Sequence, residues 1–360
     1  MGADSRRAVL FFSRGRGRGH AIPDIAIAAE LPEALDVRFV SYATGAETLK
    51  QAGLPLMDLG LGEENDFFQT MIAAAQVISS ARPEVVVSHE EFSALPAAAL
   101  AGVPAIFVNE WFPAPGSVAA DCLAYAASIV LIGFPGVFPV PPSVRVKPVC
   151  VGPMVRKMKY TLSDRSRARK ELGLPDDATV VSVIPGAWTE ERAPILDLVV
   201  PAFEGLKTDH GKFLVWVART DHDRVRKAAE GRDGVSVTDE TPVIERLMVA
   251  SDVVITKGNR VTILESASLG VPSISLSYGL NPVDDTIVAR ISSNTALHAK
   301  AVDSRFLSAI IAELAFTPLS SRERPLNLHI RGGEAAAQVL AAEIERLTGS
   351  AASRPEAALR

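Results

Sequence analysis

Cysteine is almost missing from this 360-residue chain: Cys122 and Cys150 are the two, too few for a disulfide framework. Both stand among apolar residues or beside proline, as suits reduced thiols in a cytoplasmic protein. A surplus of positive charge is missing too. With 37 Lys and Arg against 42 Asp and Glu, the net charge of −5 provides no general basic field for nucleic acid. Long apolar runs are absent. The first one, Ala8–Phe12, is too short for a signal peptide and leads into arginines and glycines, while Leu123–Val140 is broken by Gly133, Pro135, Gly136 and Pro139, which excludes a spanning helix. The six histidines show no HxxxH spacing and there is no CxxC, so a zinc signature is lacking. No internal repeat is visible.

What is present suits a soluble α/β protein. Apolar residues make up 48% and charged residues 22% of the chain, enough for substantial cores, and the length favours two domains of about 100 to 200 residues each. β-rich runs at Ala8–Phe12, Val37–Ser41, Leu56–Leu59, Val85–Ser88, Ala105–Val108 and Ser128–Ile132 alternate with helical stretches, including Ala21–Leu31 and Phe67–Ala81. A Pro-rich segment, Phe134–Pro148, and a basic one, Arg156–Lys170, follow. The alternation then restarts at Thr179–Ile184, Lys212–Ala218, Val235–Val237, Val253–Thr256 and Ser273–Ser277. Such alternation predicts parallel, doubly wound sheets. The expected division is 1–155, 156–330, a C-terminal helix over 331–348 and a disordered tail over 349–360.

Two loops carry chemistry. In Asp252–Asp285 a strand run, Val253–Thr256, turns through Lys257, Gly258 and Asn259 into a helix with Val261, Leu264 and Leu269 at helical spacing. A helix that starts just after a strand presents unpaired N–H groups and the positive end of its dipole to phosphate. Glu265, within that helix, stands about where a ribose would lie, and Asp284 and Asp285 follow a later Gly/Asn/Pro turn. The pattern fits a nucleotide-sugar site, and it also fits an ordinary βαβ unit with solvated charges.

The other loop, Gly15-Arg16-Gly17-Arg18-Gly19-His20, joins the first strand to the first helix and lets backbone N–H groups approach an anion or a sugar. It is not the dinucleotide fingerprint. His20 stands where that pattern needs glycine, and no acidic residue closes the second strand, so an NAD enzyme is disfavoured. An RNA-contacting RGRGR segment belongs in a long disordered tract, not between a strand and a helix. His20 is placed either to accept a proton from a hydroxyl nucleophile or to cap the helix and orient a ligand. Asp221-His222-Asp223 has the DxD spacing of a metal–diphosphate site, yet it opens a charged helix whose dipole acidic residues complement. Trp111, Phe112, Phe67 and Phe68 either meet an apolar acceptor or pack into the core.

These residues together resemble the GT-B glycosyltransferases, most of all the MurG-type N-acetylglucosaminyltransferases of glycosyltransferase family 28. Gly15–Ala28, GRGRGHAIPDIAIA, is similar to that family's GGTGGHxxPxxAxA, with His20 and Pro23 in register. PAIFVNEW (Pro104–Trp111), FPGVF (Phe134–Phe138) and VGPMVR (Val151–Arg156) resemble its HEQN, FPGxF and GNPVR segments. Asp252–Pro272 follows DVVxxRSGAxTxxExxxxGxP without a gap, which puts Thr262 and Glu265 on the family's Thr and Glu. The resemblance implies two Rossmann-like doubly wound domains facing a cleft. It further implies a donor, expected to be a UDP-sugar, held by Arg156, Gly186, Asn259, Arg260, Thr262, Glu265, Asp284 and Asp285, and an acceptor held by Arg16, Gly17, Arg18, Gly19, Glu110 and Trp111.

The implied reaction is an inverting, metal-independent transfer with no cofactor, in which His20 serves as base or acceptor-orienting group. A small-molecule, glycan or lipid-linked acceptor, peripheral contact with the inner face of a membrane, a place in cell-envelope or glycoconjugate biosynthesis and no nucleic-acid partner complete the expectation. A nucleotide-sugar hydrolase or epimerase on the same fold, or a non-catalytic nucleotide-sugar-binding protein, is the alternative. The chain departs from the family at Asn259, at Pro185-Gly186-Ala187-Trp188, and at Asp284 and Asp285, where the family has a Gln pair. Carboxylates cannot donate as amides do, which implies a different sugar, and the added Arg14, Arg16 and Arg18 suggest an anionic acceptor.

Overall fold

The computed structural model describes residues 6–134, 136, 139–185, 192–218, 222–239, 244–258, 260–277, 291, 294–317 and 332–349. The chain divides into two compact units, 1–157 together with 330–360, and 158–329.

In the first unit, β1 (Arg7–Ser13), β2 (Leu35–Ser41), β3 (Leu56–Asp58), β4 (Val85–His89), β5 (Ala105–Asn109), β6 (Ser128–Leu131) and β7 (Val149–Cys150) form a parallel sheet in the order β3-β2-β1-β4-β5-β6-β7. The helices α1 (Ala21–Ala28), α2 (Ala43–Gln51), α3 (Phe67–Ala81), α4 (Ala94–Leu100) and α5 (Val118–Cys122) lie between these strands in the chain. Val9, Phe11, Phe39, Val87 and Val108 gather on one face, and Leu10, Phe12, Val40, Val86 and Phe107 on the other. Burial on both faces is why these strands read as unbroken apolar runs.

The second unit repeats the plan. Its strands β8 (Thr179–Ile184), β9 (Lys212–Ala218), β10 (Val235–Asp239), β11 (Val253–Thr256), β12 (Ser273–Ser277) and β13 (Asn294–His298) run parallel in the order β10-β9-β8-β11-β12-β13. They alternate with α6 (Arg165–Glu171), α7 (Arg192–Glu204), α8 (His222–Ala229), α9 (Ile244–Ala250) and α10 (Arg260–Ser268), and α11 (Ser304–Phe316) follows β13. Asp252, just before β11, serves the fold: Arg165 and Arg169 of α6 donate to its carboxylate at 2.5 and 2.9 Å. Arg169, itself buried, also donates to the carbonyls of Ala250, Pro175, Asp176 and Ala178.

A last helix, α12 (Gly333–Gly349), returns to the first unit, where Ala336, Ala337, Leu340 and Ile344 are buried in one cluster with Ile27 of α1 and Val130 of β6. Of the expected tail, 349–360, Gly349 is the last residue of this helix, and 350–360 lie outside the described residues.

In each sheet the first strand has neighbours reached by windings in opposite directions: β1 lies between β2 and β4, and β8 between β9 and β11. Ligand crevices in open α/β sheets form outside the carboxyl ends of the strands at such a switch point. The loops after β1 and β4 therefore border one crevice, and the carboxyl ends of β8 and β11 border another.

Candidate functional site

The sheet register sets Ser13, at the end of β1, beside His89, the last residue of β4. Beyond Ser13 the glycine loop leads to His20, whose carbonyl accepts from Asp24 N at 3.1 Å as α1 begins. Gly15 is required by space. A Cβ there would lie 2.3 Å from the Tyr42 carbonyl oxygen, and the Gly15 carbonyl itself accepts from Gly45 N at 2.9 Å. Gly17 is required by conformation, with φ at +67°.

His20 meets a carboxylate supplied by the loop after β4. Its Nε2 lies 3.0 Å from Glu90 Oε2, with the His20 side chain 15% and Glu90 2% exposed. The other Glu90 oxygen accepts from Glu110 N at 3.1 Å. Glu90 adopts φ +52°, left-handed backbone that costs a non-glycine residue about 1–3 kcal/mol and tends to occur where function requires it. With Nε2–H assigned as the donor to Glu90, Nδ1 carries the lone pair, and Nδ1 has no hydrogen-bond partner among the described residues. Burial holds the His20 pKa below its ordinary value; the hydrogen bond and charge of Glu90 oppose this, while the charges of His89 and Arg14 add to it.

A second buried pair stands behind the first. His89 Nδ1 lies 2.7 Å from Asp24 Oδ1, both side chains are fully buried, and the His89 and His20 rings meet edge to face with centroids 5.0 Å apart. Ligating atoms of His20, His89 and Glu90 lie within 4.8 Å of one another. Glu91 is engaged elsewhere, accepting from Tyr42 Oη at 3.0 Å and Ser93 Oγ at 2.6 Å.

The other expected acceptor residues are less concentrated. Arg16 is exposed and donates to the Asn65 carbonyl at 2.7 Å. Burial lowers the Arg18 pKa while Glu47 opposes it, and Gly17 N donates to Glu63 at 3.4 Å, so carboxylates flank the arginines. Gly19 is exposed, Glu110 is buried, and Trp111 is half-buried with its carbonyl accepting from Asn109. Of the two readings open for Phe112, core packing holds: it is 6% exposed and lies in a buried cluster. Phe68 of α3 is 66% exposed.

In the second unit, Arg260 opens α10, and Thr262 and Glu265 are buried on it. Gly258 before them has φ +97°. Arg156 is half-buried and belongs to the first unit. Gly186, Asn259, Asp284, Asp285 and Asp221 lie outside the described residues. Asp223 is exposed in the first turn of α8. Sequence reasoning missed Asp24, His89 and Glu90. The available signal was the polar run Ser88–Glu91 at the end of a buried apolar strand.

No protein-family profile matches the chain. It is 31% identical over 226 residues to an uncharacterized glycosyltransferase of Methanopyrus kandleri, a match spanning 60% of this chain and 63% of that protein, less than two thirds of its length. It is 29% identical over 307 residues to a UDP-N-acetylglucosamine–N-acetylmuramyl-(pentapeptide) pyrophosphoryl-undecaprenol N-acetylglucosamine transferase of Shewanella pealeana, covering 79% of each. Among solved structures, MurG of Acinetobacter baumannii superposes with a TM-score of 0.63 at 16% identity, over 94% of this chain and 99% of that one. A putative UDP-N-acetylglucosamine 2-epimerase of Listeria monocytogenes superposes with a TM-score of 0.71 at 15% identity, over 99% and 100%. The fold is GT-B, and fold alone does not separate transferase from epimerase.

Proposed function

We propose that this chain, which has the GT-B fold and sequence relatives named as a glycosyltransferase and as an N-acetylglucosamine transferase, moves a sugar from a UDP-linked donor to a hydroxyl acceptor with inversion. One observation carries the chemistry: His20 is held by a buried carboxylate, Glu90, at the switch point of the first sheet. The acceptor hydroxyl gives its proton to His20 as its oxygen bonds to the anomeric carbon and the bond from that carbon to the diphosphate breaks. Glu90 steadies the imidazolium that forms.

On the donor side, the start of α10 with Asn259, Arg260 and Thr262, together with Gly186 and Arg156, takes the diphosphate. Glu265 takes the ribose hydroxyls, and Asp284 and Asp285 take the sugar. Arg16, Gly17, Arg18, Gly19, Glu110 and Trp111 border the acceptor. The step uses no metal, since backbone N–H groups and Arg156 stabilise the leaving diphosphate. No helix of the described residues is long and apolar enough to cross a membrane. A lipid-linked acceptor would be met at a membrane surface, and exposed Phe68 and Ile72 on α3 supply apolar contact there.

Calorimetric titration with UDP, dTDP, GDP and their sugar conjugates tests the donor half. One nucleotide is expected to bind, about 1–3 kcal/mol more weakly to Glu265→Ala, the usual loss for hydrogen bonds to a charged group. Analysis of the sugar product separates the alternatives, because interconversion or hydrolysis of the donor without any acceptor product would replace the transferase reading.

A further inference from the structure

We propose that His20, His89 and Glu90 form a binding site for one divalent cation of the zinc class, and that its occupancy silences His20 as a base. The second half rests on the transferase reading; the first does not.

The donor set is two imidazoles and one carboxylate with ligating atoms within 4.8 Å of one another, close enough to converge on a single ion once the side chains adjust. Nitrogen and carboxylate oxygen together suit zinc better than the all-oxygen shells of magnesium or calcium. The surrounding contacts aim these groups. Glu110 N holds one Glu90 oxygen at 3.1 Å, which leaves Oε2 as the oxygen directed at His20. Asp24 Oδ1 sits 2.7 Å from His89 Nδ1 and so selects the ring form in which Nε2 is the coordinating nitrogen. A carboxylate behind a ligating histidine is the usual outer partner of such a ligand. Asp24 and Glu90 also place two negative charges beside a dication in a buried setting. His20, 15% exposed, borders solvent, where a fourth ligand has access.

The consequence for His20 follows from its tautomer. Without the cation, Nε2–H points to Glu90 and Nδ1 carries the ring's lone pair. A cation on Nε2 moves the ring proton to Nδ1, and the ring can no longer accept a proton from a hydroxyl.

The test is a titration of chelator-treated protein with zinc chloride, by calorimetry and by competition with a chromophoric chelator, repeated with cobalt(II) for its visible spectrum. His20→Ala, His89→Gln and Asp24→Asn are compared with the wild type, each checked by circular dichroism. His20 is at a loop and partly exposed, so its variant keeps the test valid if a buried variant fails to fold. The expected result is saturation at one equivalent, with binding weakened at least about tenfold in His20→Ala and His89→Gln and by about 10- to 100-fold in Asp24→Asn. Absence of saturable binding, or equal binding by wild type and His20→Ala, overturns the site. UDP is titrated into the same samples. Donor binding without zinc binding overturns the metal site alone, whereas zinc binding with neither donor binding nor transfer upholds the site and overturns the transferase reading.

Discussion

His20 reports its surroundings through pH. Burial keeps its pKa below the ordinary 6.5, and a base must be neutral, so the acidic limb of kcat/KM is expected below pH 6.5, with activity retained above it. The same shift means that the folded chain binds this proton less tightly than the unfolded one. The group's contribution to stability is therefore intact above the unfolded value and is lost as pH falls through the folded one. His20→Ala should lower kcat by about 10²–10⁴-fold, and unchanged turnover would remove it from the reaction. Glu90→Gln removes the group that raises the His20 pKa, so the acidic limb should move to still lower pH while kcat falls. Thiol labelling should find Cys150 reactive and Cys122 protected, since burial pushes the Cys122 pKa up to about 11. His20 was legible because a glycine loop between strand and helix marks it. Glu90 was not, because the contact spans 70 positions and a glutamate in a charged run reads as solvated.

The arginines of α6 show how an element misleads. Arg156–Lys170 reads as a basic linker and first helix, yet Arg169 is buried and ties α6 to Asp252 and to four carbonyls. Arg169→Ala leaves Asp252 with Arg165 and strips four carbonyls of a donor, and should destabilise the second unit by about 1–3 kcal/mol, read as a lower denaturant midpoint for its unfolding. Central strands were legible to the residue, as at Thr179–Ile184 and Val253–Thr256, since burial on both faces demands a continuous β-branched run. β13 was missed because Asn294–His298, at the sheet edge, is only partly covered and needs no such run. The first helix, expected to reach Leu31, stops at Ala28, in keeping with the restraint that Pro32 puts on the residue before it.

The chain crosses between its two units twice, and its last described helix stabilises the unit in which the chain began. Leu340→Ala in α12 should cost the first unit about 2–5 kcal/mol and leave the unfolding of the second unit unchanged, as followed by denaturation with hydrogen exchange. An equal effect on both units would mean that they unfold as one. Two parallel α/β sheets, the position of most strands and the glycine loops that open onto the switch points follow from the amino-acid order alone. Each rests on periodicity or turn chemistry among neighbouring residues, which folding does not have to assemble. The pairing of His20 with Glu90, the pairing of His89 with Asp24, the burial of Phe112, the structural use of Asp252 and the return of α12 to the first unit do not. Those contacts join residues far apart in the chain, and they exist because sheet register and helix packing bring particular side chains together.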